Sequence, residues 1–190
     1  MGLNVMGFAT SIKTNELLEI TKKINISISS MVSECMFEEA ISNNIECDEM
    51  YITETKSGSL ITVGEDFPIF GISLKNLTEN KNELLRFMFG ETSSVFFFEY
   101  INDEKILRRK NVVEGEITHD KGKTLNLEFS GLAIDELIPE LITQTCGNDF
   151  YNIEPDAISY KYKFQGKIEK KNNTENIQTT SNKRKRWWRF

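Results

Sequence analysis

Hydrophobic positions in this chain fall into short runs with two distinct periods. The densest run is Val95-Phe96-Phe97-Phe98, which continues to Ile101. A continuous apolar strand is normally covered on both faces, so residues 95–101 are predicted to form a central strand of a sheet. The polar stretch Asn102-Asp103-Glu104-Lys105 follows, and Ile106-Leu107 returns toward Val113. Two β-prone runs joined by turn-prone residues predict an antiparallel hairpin, with 105–113 as the returning strand. That strand carries Arg108-Arg109-Lys110 and so has one wet face or lies at an edge.

The remaining chain is read by the same rules. Residues 3–9 predict a first strand. Thr14 is placed to cap a helix whose Leu17, Ile20 and Ile24 share a face. Ile24, Ile26 and Ile28 alternate with polar residues, the period of a half-buried strand. Ser30 then reads as the cap of a second helix, with Val32, Met36, Phe37, Ala40 and Ile41 on its buried stripe and Glu34, Glu38 and Glu39 outward. Residues 50–55 and 59–63 flank Lys56-Ser57-Gly58 as a hairpin, and 67–74 make a short strand or a buried loop. Asn80 with Glu83 looks like a capping box before Leu84, Leu85 and Met88, with Gly90 as the left-handed stop of that helix. His119 to Lys123 is expected to be a turn and 125–129 a third strand after the hairpin. Residues 132–145 predict a further helix, regular from about Ile138 because Pro139 removes a backbone donor, with Gly147 beyond its end. Ile158, Tyr160, Tyr162 and Phe164 alternate with Ser159, Lys161 and Lys163 in a clear amphipathic strand. The pattern predicts an α+β fold: a mostly antiparallel β-sheet with three to four helices packed on it.

Composition divides the chain in two. Residues 166–190 hold eight Lys and Arg against two Glu, leaving 15 basic and 27 acidic groups in residues 1–165. The expectation is a single acidic domain over 1–165 and a disordered, basic and aromatic tail over 166–190, where apolar content is too low to offset the entropy of ordering. No apolar run approaches the roughly 20 residues that span a bilayer. The start lacks the basic and apolar regions of a signal peptide, and Met6 occupies the position where a myristoylation signal favours Ser or Thr. Three widely spaced cysteines, Cys35, Cys47 and Cys146, suit a reducing cytoplasm better than a disulfide framework.

The sequence offers no catalytic or metal-binding constellation, and no cofactor is expected. The one histidine, His119, falls in a polar stretch, and its neighbour Asp120 does not face it as a catalytic partner would. Phosphate-cradling glycine motifs and nucleophile elbows do not occur. Glu114-Gly115-Glu116 would set two carboxylates on one strand face, in reach of a cation or of acid–base work. The nearby Lys and Arg describe a solvated face instead.

Two features do point to binding. Glu34, Glu38, Glu39, Glu46, Asp48 and Glu49 concentrate negative charge around one predicted helix and its following loop. This is either a solvated face or a docking surface for a basic partner. The terminus Lys183-Arg184-Lys185-Arg186-Trp187-Trp188-Arg189-Phe190 sets aromatics among cations. It fits nucleic-acid contact through phosphates and stacking, attachment to an anionic membrane surface, insertion into a protein groove, or folding back on the acidic body.

From residue 99 to 128, the runs EYINDEKILRR, EGE and KGKTLNLE resemble the hairpin-and-turn pattern of small bacterial α/β proteins, some of them similar to immunity proteins of polymorphic toxin systems. The resemblance implies a cytoplasmic, non-enzymatic inhibitor that occludes a cognate toxin, here a basic toxin domain meeting the acidic cluster. It transfers no functional residue, and the basic aromatic tail departs from it. Two rivals are a factor that binds nucleic acid or membrane through the tail, and an enzyme using the acidic pairs.

Overall fold

A computed structural model describes residues 2–23, 26–70, 77, 78 and 81–165. The expected tail over 166–190 lies outside the described residues. The strands are β1 (Asn4–Thr10), β2 (Ser27–Met36), β3 (Glu49–Glu54), β4 (Ser59–Val63), β5 (Glu83–Gly90), β6 (Val95–Asn102), β7 (Lys105–Val113), β8 (Glu116–Gly122) and β9 (Ile158–Gln165). The helices are α1 (Thr14–Lys23), the single turn α2 (Phe37–Ala40) and α3 (Ile134–Cys146). The nine strands of the described residues join one sheet in the order β2-β9-β3-β4-β1-β5-β6-β7-β8, and every pairing among them is antiparallel. The α+β expectation therefore holds in its outline.

Each face of the sheet buries its own core, as the period-two geometry of strands requires. On one face Val5, Ala9, Tyr51, Leu60, Leu85, Phe87, Phe89 and Phe98 pack under α3 residues Leu137, Ile138, Leu141 and Ile142. On the other, Phe8, Met50, Ile52, Ile61, Leu84, Ile101 and Phe164 pack with Ile12, Leu17, Phe67 and Leu77. Coverage on both sides explains why β5 and β6 are apolar almost throughout. β6 is buried and antiparallel to β7, as its aromatic run demands, but β1 occupies the middle of the sheet.

Three segments differ from the sequence reading. Residues 27–36 are strand, so the expected second helix shrinks to Phe37–Ala40. Serines at 27, 29, 30 and 33 disfavour a helix interior, and β9 offers a full row of backbone partners. Met36 and Val32 are therefore exposed instead of buried. Residues 83–90 form β5, not a helix, with every residue from Glu83 to Gly90 registered on β6. The spacing of Leu84, Leu85 and Met88 suits a helix, but a strand buried on both faces gives the same apolar density, and Phe87 and Phe89 tip the balance. Asn80, the expected cap, lies outside the described residues.

The third difference follows from turn chemistry. Glu114 and Gly115 both have positive φ (52° and 80°), as do Asp103 and Glu104 (48° and 62°). Two adjacent left-handed residues make the tight two-residue hairpin turn that matches strand twist. The chain after β7 thus returns at once as β8, containing His119 and Asp120, and 126–130 is a 3-10 turn, not the expected strand. Smaller shifts occur in the helices. α3 runs unbroken through Pro139 from Ile134, and Thr14 is the first residue of α1, not its cap.

Charge is also built into the sheet. Arg86, Glu99 and Arg109 stand in register across β5, β6 and β7, with Glu99 fully buried between the two guanidinium groups. Arg108 lies on the opposite face and reaches Glu128 of the 3-10 turn in a two-pronged contact at 2.7 Å and 2.7 Å, with Asp120 beside it. That contact fixes the irregular segment after β8 to the sheet.

Phe98 lies wholly inside the first core, so Phe98→Ala is expected to destabilise the fold by about 3–5 kcal/mol. Urea unfolding of the purified variant tests this, and a loss under about 1 kcal/mol would be inconsistent with Phe98 lying inside the core beneath α3.

Candidate interaction surface

The acidic cluster is assembled by β2, α2, the loop that follows them and the start of β3, all grouped around β9. β9 runs between β2 and β3, and its polar row meets the acids. Lys161 Nζ lies 2.6 Å from Glu49 Oε1 and over the Tyr51 ring at 5.5 Å. Lys163 Nζ lies 3.3 Å from Glu46 and 3.5 Å from Asp48. Glu49 is only 2% exposed, and it also accepts a hydrogen bond from the Tyr51 hydroxyl at 2.9 Å. Glu49 is therefore part of the interior and not, as the sequence reading placed it, of an outward patch.

Protonation follows from these contacts. Burial alone raises the Glu49 carboxyl. The hydrogen bonds from Lys161, Tyr51 and the Glu46 amide outweigh burial and hold the group below its ordinary value of 4.5. Burial and the neighbouring Glu49 push the Tyr51 hydroxyl up to about 12, and the bond to Glu49 also raises Lys161. Cys35 is driven upward by burial and then by Glu39, and its thiol donates to the Ser159 carbonyl at 3.6 Å. A thiol so placed is a poor nucleophile.

The other three acids stand differently. Glu34, Glu38 and Glu39 are exposed and form no ion pair among the described residues. Glu34 lies on β2 opposite Tyr160, and Glu38 and Glu39 lie on α2 immediately after the strand. β2 is an edge strand. Along it Met31, Val32 and Met36 are 46%, 51% and 52% exposed, and Ile158 next door on β9 is 56% exposed. Met31, Glu34 and Met36 register with Tyr162, Tyr160 and Ile158, so they share one face. The apolar members of this surface escape a reading that places Val32 and Met36 inside a core. The four serines of 27–33 are the signal that argues for a strand.

The remaining candidates are dispersed. Glu114 sits in the tight turn and Glu116 starts β8, so the pair does not share a strand face. His119 lies on β8 opposite Asn111. Among the described residues, no three His, Cys, Asp or Glu converge as a metal-holding group, and no helix is long and apolar enough to cross a membrane. Lys183, Arg184, Lys185, Arg186, Trp187, Trp188, Arg189 and Phe190 lie outside the described residues. No family model, no curated protein and no solved structure matches the chain.

Glu49 and Glu128 both have depressed carboxyl values, each set by a basic partner and a backbone amide working against burial. Their stabilisation is present above the unfolded value near 4.5 and is lost as pH falls through the lower folded values. Glu49→Gln is expected to cost about 1–3 kcal/mol, less than a fully buried pair because Lys161 keeps some access to water. Melting temperatures recorded from pH 7 down to pH 3 should fall for wild type and fall less steeply for the variant. Parallel curves would show that Glu49 does not carry the acid sensitivity.

Proposed function

We propose that this chain is a cytoplasmic protein-interaction module, an immunity-type inhibitor that occludes a basic partner domain with the β2 edge and its acidic side chains. The observation that carries this reading is the split of the acidic cluster. Lys161 pairs with Glu49 and Lys163 is shared by Glu46 and Asp48, whereas Glu34, Glu38 and Glu39 make no ion pair among the described residues, on an edge that exposes Met31, Val32 and Met36. Met31 and Met36 flank Glu34 on one face of β2, and Glu38 and Glu39 follow on α2, so this edge interleaves exposed apolar and acidic side chains, a mixture that suits a protein-binding surface. Carboxylates so placed steer a basic partner toward it. The reading is thus narrower than the full acidic cluster: Glu46 and Asp48 contribute mainly through Lys163, and Glu49 supports the sheet from inside. The three cysteines are unpaired, in keeping with a reducing compartment. A second reading, contact with nucleic acid or an anionic membrane, rests on the composition of residues 183–190.

An immunity-type inhibitor implies a cognate toxin encoded by a neighbouring gene, so the test is binding to that gene's product across a salt series. Replacing Glu34, Glu38 and Glu39 together by Lys should slow association by roughly tenfold or more at low salt and much less at high salt. The circular dichroism spectrum should be unchanged, because all three side chains are solvated. A folded triple variant that binds its partner as fast as wild type would eliminate this surface. Binding to RNA, DNA or anionic vesicles that survives in the triple variant would favour the second reading.

A further inference from the structure

The two edges of the sheet are guarded very differently. β8 carries Glu116, Asp120 and Lys121 in seven residues, the charged protection that open edges usually have, around one exposed apolar side chain, Ile117. β2 carries one charge, Glu34, in ten residues, and it exposes Met31, Val32 and Met36 beside Ile158. Clustered apolar side chains of this size mark an occupied surface more often than a bare one.

We propose that the occupant in the free protein is the chain's own terminus, residues 183–190, bound across the β2 edge and α2. The inference rests on the reading of this edge as the interaction surface and adds its regulation, a tethered competitor for the same site. Three observations carry it. The first is position: β9 ends at Gln165 opposite Ser27, so the chain leaves the domain at the head of the strand in question. The second is reach. Seventeen residues separate Gln165 from Lys183. Seventeen residues can reach at most about 56–61 Å at ~3.3–3.6 Å per residue, against about 30 Å for the whole of β2 at ~3.3 Å per residue. The third is complementarity. Five cations (Lys183, Arg184, Lys185, Arg186 and Arg189) meet the carboxylates of Glu34, Glu38 and Glu39. Trp187, Trp188 and Phe190 meet Met31, Val32, Met36 and Ile158, and methionine sulfur packs well against aromatic rings. Tethering supplies an effective concentration of about 1 mM, so an intrinsic affinity near 0.1 mM already fills the site to about 90%. A foreign basic partner must displace this segment before it binds.

Trp187 and Trp188 are the only tryptophans in the chain, so the fluorescence of the full-length protein reports on this segment without background. At the occupancy above, acrylamide quenching should be roughly two- to tenfold weaker than for a free KRKRWWRF peptide, with emission shifted to the blue. Two full-length variants should each restore peptide-like quenching while keeping the wild-type circular dichroism: Glu34→Lys with Glu38→Lys and Glu39→Lys, and Val32→Ser with Met36→Ser. The proposal is overturned if wild type is quenched like the free peptide, if both folded variants keep full protection, or if protection disappears on dilution, which would mean docking between copies. The readout needs no partner. A failure here therefore leaves the interaction reading standing, and a failed partner assay leaves the docked terminus standing.

Discussion

The insertion of β9 between β2 and β3 is the pairing on which the rest of this structure depends. Among the described residues β2 has no other strand beside it, and every ladder bond it makes there is to residues 158–165. The same strand delivers Lys161 and Lys163 to Glu49, Glu46 and Asp48. One element therefore completes the sheet and decides which acids have a cation beside them. The contact joins segments more than 120 residues apart, which is costly to close in folding and invisible to local propensity.

The opposite half of the sheet is held by charge placed where hydrophobes would be expected. Glu99 is buried between Arg86 and Arg109 in one cross-strand row. Arg108 on the other face binds Glu128 and Asp120. Buried pairs of this kind add little net stability over apolar packing, but losing one partner strands an ion. They act as register locks: a slip of one residue in β7 would carry Arg108 away from Glu128 and Arg109 away from Glu99. This half presents a charged edge strand, β8, and the other half presents the apolar edge, β2.

Much of this was legible from the chain. The β6–β7 hairpin, the β3–β4 hairpin, β1, α1, α3 and β9 all follow from period and turn residues. β2 and β5 were misread as helices for a common reason. Val32, Met36 and Phe37, and likewise Leu84, Leu85 and Met88, satisfy helical spacing; the serines of 27–33 and Phe87 with Phe89 lean toward strand, and the tertiary partners β9, β1 and β6 complete that choice. The six acids were findable by counting, but their division into those with a β9 lysine beside them and those without was not. Lys161 and Lys163 are more than a hundred residues away in sequence. The apolar half of the surface was hidden by the same error that made β2 a helix.

A nine-stranded sheet with one guarded edge and one bare edge makes an asymmetric demand: interaction belongs at β2 and not at β8. Hydrogen exchange on the full-length chain, alone and with the product of the neighbouring gene, reads both edges in one experiment. Peptides covering residues 27–36 should exchange more slowly in the complex, and those covering 116–122 should be unchanged. Protection at 116–122, with 27–36 exchanging as in the free chain, would contradict the assignment of the β2 edge as the binding surface.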